Sequence, residues 1–187
     1  MPFTSQQNSL IKAAILADST LASQPSDGDG LGFIANALNA MSSPVDNVWR
    51  TDVPVSEIND GIDYTKFTPT DAADSTVIFT NRVLAIQTKQ MNLQNMLIGK
   101  DRIDASKPNI RAGIRDAVIQ LPAGAGGAMV SAAGVSGVNV VTPMTRNSRR
   151  IESILASAQT TTGTVSAKTM GYEGMISSNE VDTARRS

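Results

Sequence analysis

The 187-residue chain contains no cysteine and no histidine. Disulfide frameworks, zinc fingers, thiol nucleophiles, histidine-centred triads and histidine metal sites are thereby excluded. A cysteine-free chain fits a reducing compartment. The N-terminal MPFTSQQNSLIKAAILADS has no basic leader ahead of its apolar residues, so a cleaved signal peptide is not expected. Aromatics are also scarce, with one Trp, two Tyr and four Phe against a hydrophobic content of 41%. Aliphatic and methionine side chains must therefore supply most of the core. A core so poor in large side chains is often completed by neighbouring subunits.

Residues 117–145 lack charge altogether. The central part, LPAGAGGAMVSAAGVSGVNVV (residues 121–141), has the length of a membrane span but not its side chains, being mostly Gly, Ala, Ser and Val. Gly124, Gly126, Gly127, Gly134 and Gly137 each raise the cost of a helix there by about 1 kcal/mol relative to alanine. The glycines do not make a nucleotide site either. Met129 stands where a dinucleotide fingerprint needs its last glycine, and no Gly-Lys-Ser/Thr ending follows. The expectation is an uncharged loop between two helices, with no membrane insertion and no cofactor.

Charge is balanced in sum, at −1, but not along the chain. Residues 1–76 carry ten acids and three bases, a net −7; residues 77–116 carry seven bases and three acids, a net +4; the remainder is +2, with six bases and four acids. This polarity suits a subunit that packs against copies of itself or meets two different partners, and equally a monomer with scattered surface charge.

Helix signals dominate. Thr4 with Gln7 forms a capping-box pattern ahead of Leu10, Ile11, Ala14 and Ile15. A turn-rich break follows, then a short helix with Phe33, Ile34, Ala37, Leu38 and Met41 on one face, stopped by Ser42-Ser43-Pro44. Pro54 can open a further short helix that Gly61 ends. Trp49, Tyr64 and Phe67 are expected to pin the surrounding loop onto the core. The strongest signal predicts a long helix with Phe79, Val83, Ile86, Gln90, Leu93 and Leu97 in one seam, terminated by Gly99. Pro108 opens the next helix, burying Ile110, Ile114, Ala117, Val118 and Leu121, with Arg111, Arg115 and Asp116 directed elsewhere. TRNSRRIESILASA predicts another helix; the remainder reads as extended, with short strands near Val165 and Met170 and a last helical turn capped by Ser177 and Glu180.

Chemical motifs are incomplete. Asp27-Gly-Asp29-Gly begins like a calcium loop but lacks the later ligands and the distal glutamate. Ser9 and Lys12 have the spacing of a serine–lysine pair without its companion motifs. No catalytic residue or metal site is therefore predicted. The most site-like feature is Arg146, Arg149 and Arg150, expected on one helical face, where they could meet phosphates or acidic side chains. Surface salt bridges to the acidic N-terminal part are the simpler alternative.

VWRTDVPVSEINDGIDYTKFTPTDAAD, the long helix after it, NIRAGIRDAVIQLPAGAGGA, RRIESILA and MGYEGMISSNEVDTAR follow one another over nearly the whole chain. In this order they resemble head–tail adaptor (connector, neck) subunits of tailed bacteriophages. The resemblance implies a non-enzymatic, mainly α virion protein that forms a ring, usually a dodecamer, beneath the portal and lines the DNA passage. It implies a homo-oligomeric ring, the portal protein, tail or nozzle proteins and transient genomic DNA as partners, in a virion neck assembled in the host cytoplasm. The expected fold is a small helical bundle over residues 1–158, including a glycine-rich loop at 122–145, and an extended C-terminal arm at 159–187. Met170, Tyr172, Met175 and Ile176 would anchor that arm on the portal or a neighbour. The glycine-rich loop is longer than a simple helical adaptor requires, a departure from a pure bundle, and would project into the channel or against a neighbour. A tail-completion or tail-tube subunit and a small DNA-binding protein are the alternatives.

Overall fold

A computed structural model describes residues 2–62, 64, 79–118, 121–122, 129–130 and 140–187. The N-terminal elements are helices α1 (Ser5–Ala17), α2 (Ser19–Ala22) and α3 (Gly28–Asn39), strands β1 (Asn47–Trp49) and β2 (Val53–Pro54), and helix α4 (Val55–Asp60). Helix α5 (Phe79–Leu97), strand β3 (Arg102–Ile103), helix α6 (Pro108–Val118) and strands β4 (Leu121–Pro122) and β5 (Met129–Val130) follow. The chain continues through β6 (Thr145–Asn147), α7 (Arg150–Leu155), β7 (Gln159–Thr162), β8 (Val165–Lys168) and α8 (Ser178–Arg186).

The fold is mixed α/β, which overturns the expected mainly α bundle with an extended C-terminal arm. Four strands form one sheet in the order β6-β1-β8-β7, with β1 and β8 parallel and Val48 opposite Lys168. Two further antiparallel pairs join β2 to β3 and β4 to β5. Strands of two to four residues are too short to display an alternating pattern, and the partners of β1, β2 and β6 are distant in sequence. The C-terminal stretch is structured for a similar reason. SNEVDTARR shows only Val181 and Ala184 as apolar residues, yet their three-residue spacing puts both on the buried face of α8.

The described residues cluster into two units. One comprises residues 1–48, 146–160 and 167–187; the other comprises 49–145 and 161–166. In the first, Ile11, Ile15, Leu21, Ile34, Leu38, Ile151, Leu155, Ile176 and Val181 form the core. Thr4 and Gln7 make the expected capping box on α1, and Ser177 and Glu180 make another on α8. Asn39 binds Ile176 as a strand partner would: its amide donates to the Ile176 carbonyl at 2.9 Å and its oxygen accepts from the Ile176 amide at 2.8 Å. Phe33 and Met41 are exposed, so the inward face of α3 is carried by Ile34, Ala35 and Leu38.

In the second unit, α5 and α6 pack together. Ile86, Leu93 and Leu97 are buried from the expected seam, and the side chains of Phe79 and Val83 lie outside the described residues, as does Phe67. Gly99, at φ +69°, ends the helical run. Trp49 is fully buried as expected, whereas Tyr64 is exposed. Arg111 reverses its expected direction and is 1% exposed. Leu121 and Pro122 pair with Val130 and Met129, so the glycine-rich segment begins in a β ladder. Gly124, Gly126, Gly127, Gly134 and Gly137 lie outside the described residues. Among the described residues no helix is long and apolar enough to cross a membrane.

Candidate functional site

Arg146, Arg149 and Arg150 do not share a helical face. Arg146 lies in β6, Arg149 bridges to Met41, and Arg150 opens α7, because the helix begins four residues later than Arg146. Arg150 accordingly takes a different partner from Arg146. Arg150 pairs with Asp18 at 2.9 Å, as the simpler reading of the basic cluster expects. Arg146 donates from Nη1 and Nη2 to the two oxygens of Glu152, both at 2.8 Å, and from Nη2 to Glu173 at 3.2 Å.

Glu152 is almost wholly buried, and its carboxylate is saturated with donors. Besides Arg146 it accepts from the Arg149 amide at 2.9 Å and the Gly174 amide at 3.3 Å. Burial pushes the Glu152 carboxyl up, but the Arg146 hydrogen bonds and the two amides outweigh it and hold the group below its ordinary value. The same pairing raises the Arg146 guanidinium further above its already high range.

Arg146 and Arg149 line a recess of about 470 Å³ with Met41, Asn147, Glu152 and Glu173. Two carboxylates stand beside the two guanidiniums, so the recess offers a phosphate little net positive charge. The arrangement is that of a clamp, joining β6, the start of α7 and the loop at Gly174.

A second polar cluster joins residues far apart in sequence. Ser153 Oγ donates to Asp46 Oδ2; Lys168 Nζ donates to Asp46 at 2.6 Å and to Ser153 at 3.3 Å. The Lys168 and Ser153 hydrogen bonds hold the Asp46 carboxyl below its ordinary value, which makes it a poor base. Lys168 donates to the serine rather than accepting its proton, so the polarity is opposite to that of a serine–lysine nucleophile. No spacing in the sequence announces this cluster. The Ser9–Lys12 pair is also separated: Ser9 donates to the Ser5 carbonyl, and Lys12 to the Ser187 carbonyl.

Asp27 caps α3, its carboxylate accepting from the Gly30 amide at 2.9 Å, so the incomplete calcium pattern marks a helix start. No group of three or more potential metal ligands occurs among the described residues.

The four proposed anchors occupy different environments. Ile176 is 2% exposed in the core. Tyr172 packs on Phe3 with ring centroids 4.7 Å apart and donates its hydroxyl to the Met175 carbonyl at 2.6 Å. Met170 places its sulfur 3.2 Å from Arg146 Nη2, and Met175 is 63% exposed. The structure thus presents Met175 to solvent and uses Ile176 internally.

In the second unit, Arg111 Nη1 donates to the Ala105 and Ser106 carbonyls at 2.6 and 2.9 Å, and Nε donates to Thr162 at 3.1 Å. The guanidinium lies over Trp49, 3.9 Å from the ring centroid. Burial lowers its proton affinity. Neither a family model, a curated protein nor a solved structure matches the chain.

Proposed function

We propose that this chain is a structural subunit of a bacteriophage virion, a non-enzymatic head–tail adaptor whose copies form a ring between portal and tail around the DNA passage. The supporting observation concerns the segments that carry the resemblance. Their polar side chains spend their hydrogen bonds inside the protein: Glu152 of RRIESILA meets the amide of Gly174 in MGYEGM, and Arg111 of NIRAG covers Trp49 of VWRT. Residues used this way stabilise each of the two units from within, as a structural rather than a catalytic subunit requires.

The ring would contact the portal through exposed side chains such as Met175, and DNA would pass without being gripped, by transient electrostatic contact. The four-stranded sheet favours a tail-completion or tail-tube subunit as the second reading. Mass photometry and negative-stain imaging of the purified chain with the portal protein test the first: ring particles bound to portal are expected. A chain that stays monomeric beside the portal overturns it, and stacked tubes establish the second.

A further inference from the structure

Helix α5 and the turn residue after it, Ile98, whose amide still donates to the Gln94 carbonyl at 2.7 Å, carry apolar residues on two opposite sides. Ile86, Leu93 and Leu97 are buried, whereas Leu84, Met91 and Ile98 are 60%, 55% and 75% exposed. At about 100° per residue the second set faces away from the first, and its members recur at seven-residue steps. Gln87, Thr88, Gln94 and Asn95 are exposed on the same side. Over roughly 20 Å, at 1.5 Å per residue, this outer face therefore presents no charge. Solvated helix faces ordinarily carry charged and polar side chains instead.

The pattern is its own complement. Turned antiparallel about Met91, it sets Leu84 against the partner's Ile98, Met91 against the partner's Met91, and Thr88 against the partner's Gln94. Apolar layers meet apolar layers, and a hydroxyl meets an amide. Because neither face carries charge, self-pairing brings no like charges together. The exposed side of α1 is also uncharged, but Leu10 and Leu16 stand six residues apart and do not match these steps.

We infer that the outer face of α5 is an isologous interface, through which two copies of this chain pair antiparallel with Met91 on the two-fold axis. Two heptad steps cover less than a standard interface of about 1,600 Å², so the pair is weak and concentration-dependent. The inference concerns the free chain and does not rest on the virion reading. An isologous pair closes on itself, and a ring needs another surface.

The absence of cysteine makes a direct test available. Met91→Cys should form a disulfide-linked dimer under mild oxidation on the order of tenfold faster than an Ala13→Cys control, because pairing raises the local thiol concentration. A mixture of Leu84→Cys and Ile98→Cys chains should cross-link to each other, and neither alone. In light scattering, Met91→Lys should remain monomeric at concentrations where the unmodified chain dimerises. All of these positions are exposed, so the fold is retained. Met91→Cys linking no faster than Ala13→Cys, or linking to Ala13→Cys in preference to itself, overturns the pairing.

Discussion

Arg146 and Glu152 face each other fork to fork, with two hydrogen bonds of 2.8 Å and a carboxylate whose side chain is only 2% exposed. Removing one partner of such a pair leaves a charge without compensation in a poorly solvated place. Arg146→Ala is expected to cost about 3 kcal/mol, at the low end for buried pairs because Arg146 is itself 30% exposed. Replacing both residues by methionine should cost less than either single truncation. Urea unfolding of the three variants measures this, and a loss below about 0.5 kcal/mol for Arg146→Ala would contradict the clamp.

Acid should loosen the same unit. Glu152 and Asp46 both have lowered pKa values in the fold, from ordinary values of 4.5 and 3.8. Each group therefore contributes stability that is fully present above its ordinary value and is lost as pH falls through the lower folded value. Melting temperature should be nearly flat from about pH 7 to 5 and fall steeply below about pH 4. Glu152→Gln should remove part of that slope. An identical slope in the variant would show that Glu152 is not among the linked groups.

Arg111 allows an optical test because Trp49 is the only tryptophan. Arg111→Ala removes the cation over the indole and strands the Ala105 and Ser106 carbonyls, an expected loss of about 2–4 kcal/mol. Arg111→Lys keeps the charge but not the planar fork and should fall between. Both variants should shift Trp49 fluorescence, Arg111→Ala the more strongly. Unchanged emission in both would place the guanidinium elsewhere.

What could be read from the sequence was what a few adjacent residues encode. Thr4 with Gln7, Pro108, and Ser177 with Glu180 mark helix starts in the structure, and Gly99 marks a helix end. The sheet was hidden because Val48 finds Lys168 across most of the chain and no short window contains both. Arg111 reads as outward from its own helix, since Trp49, Thr162 and the Ala105 and Ser106 carbonyls, which make its burial tolerable, do not show in the helical pattern. The basic cluster was visible as composition. Its division between Asp18, Glu152 and Glu173 depends on where β6 ends and α7 begins, which the charges themselves do not encode.

Two glycines of α3 should respond to the same substitution with opposite sign. Alanine in place of a helical glycine normally stabilises by about 0.5–1 kcal/mol, by restricting the unfolded chain and improving helix propensity. At Gly32 a Cβ would meet nothing within 4 Å, so Gly32→Ala should show that gain. At Gly30 a Cβ would lie 2.3 Å from the Pro25 carbonyl oxygen and 2.9 Å from the proline ring. Backbone cannot rotate aside as a side chain can, so Gly30→Ala must push the Pro25 turn away from the start of α3. The Asp27 cap on the Gly30 amide would be strained with it. A loss of about 1–3 kcal/mol is expected, as for overpacking elsewhere. Thermal melts of the two single variants decide the matter: equal shifts in the same direction would mean that the turn does not press on α3 as described.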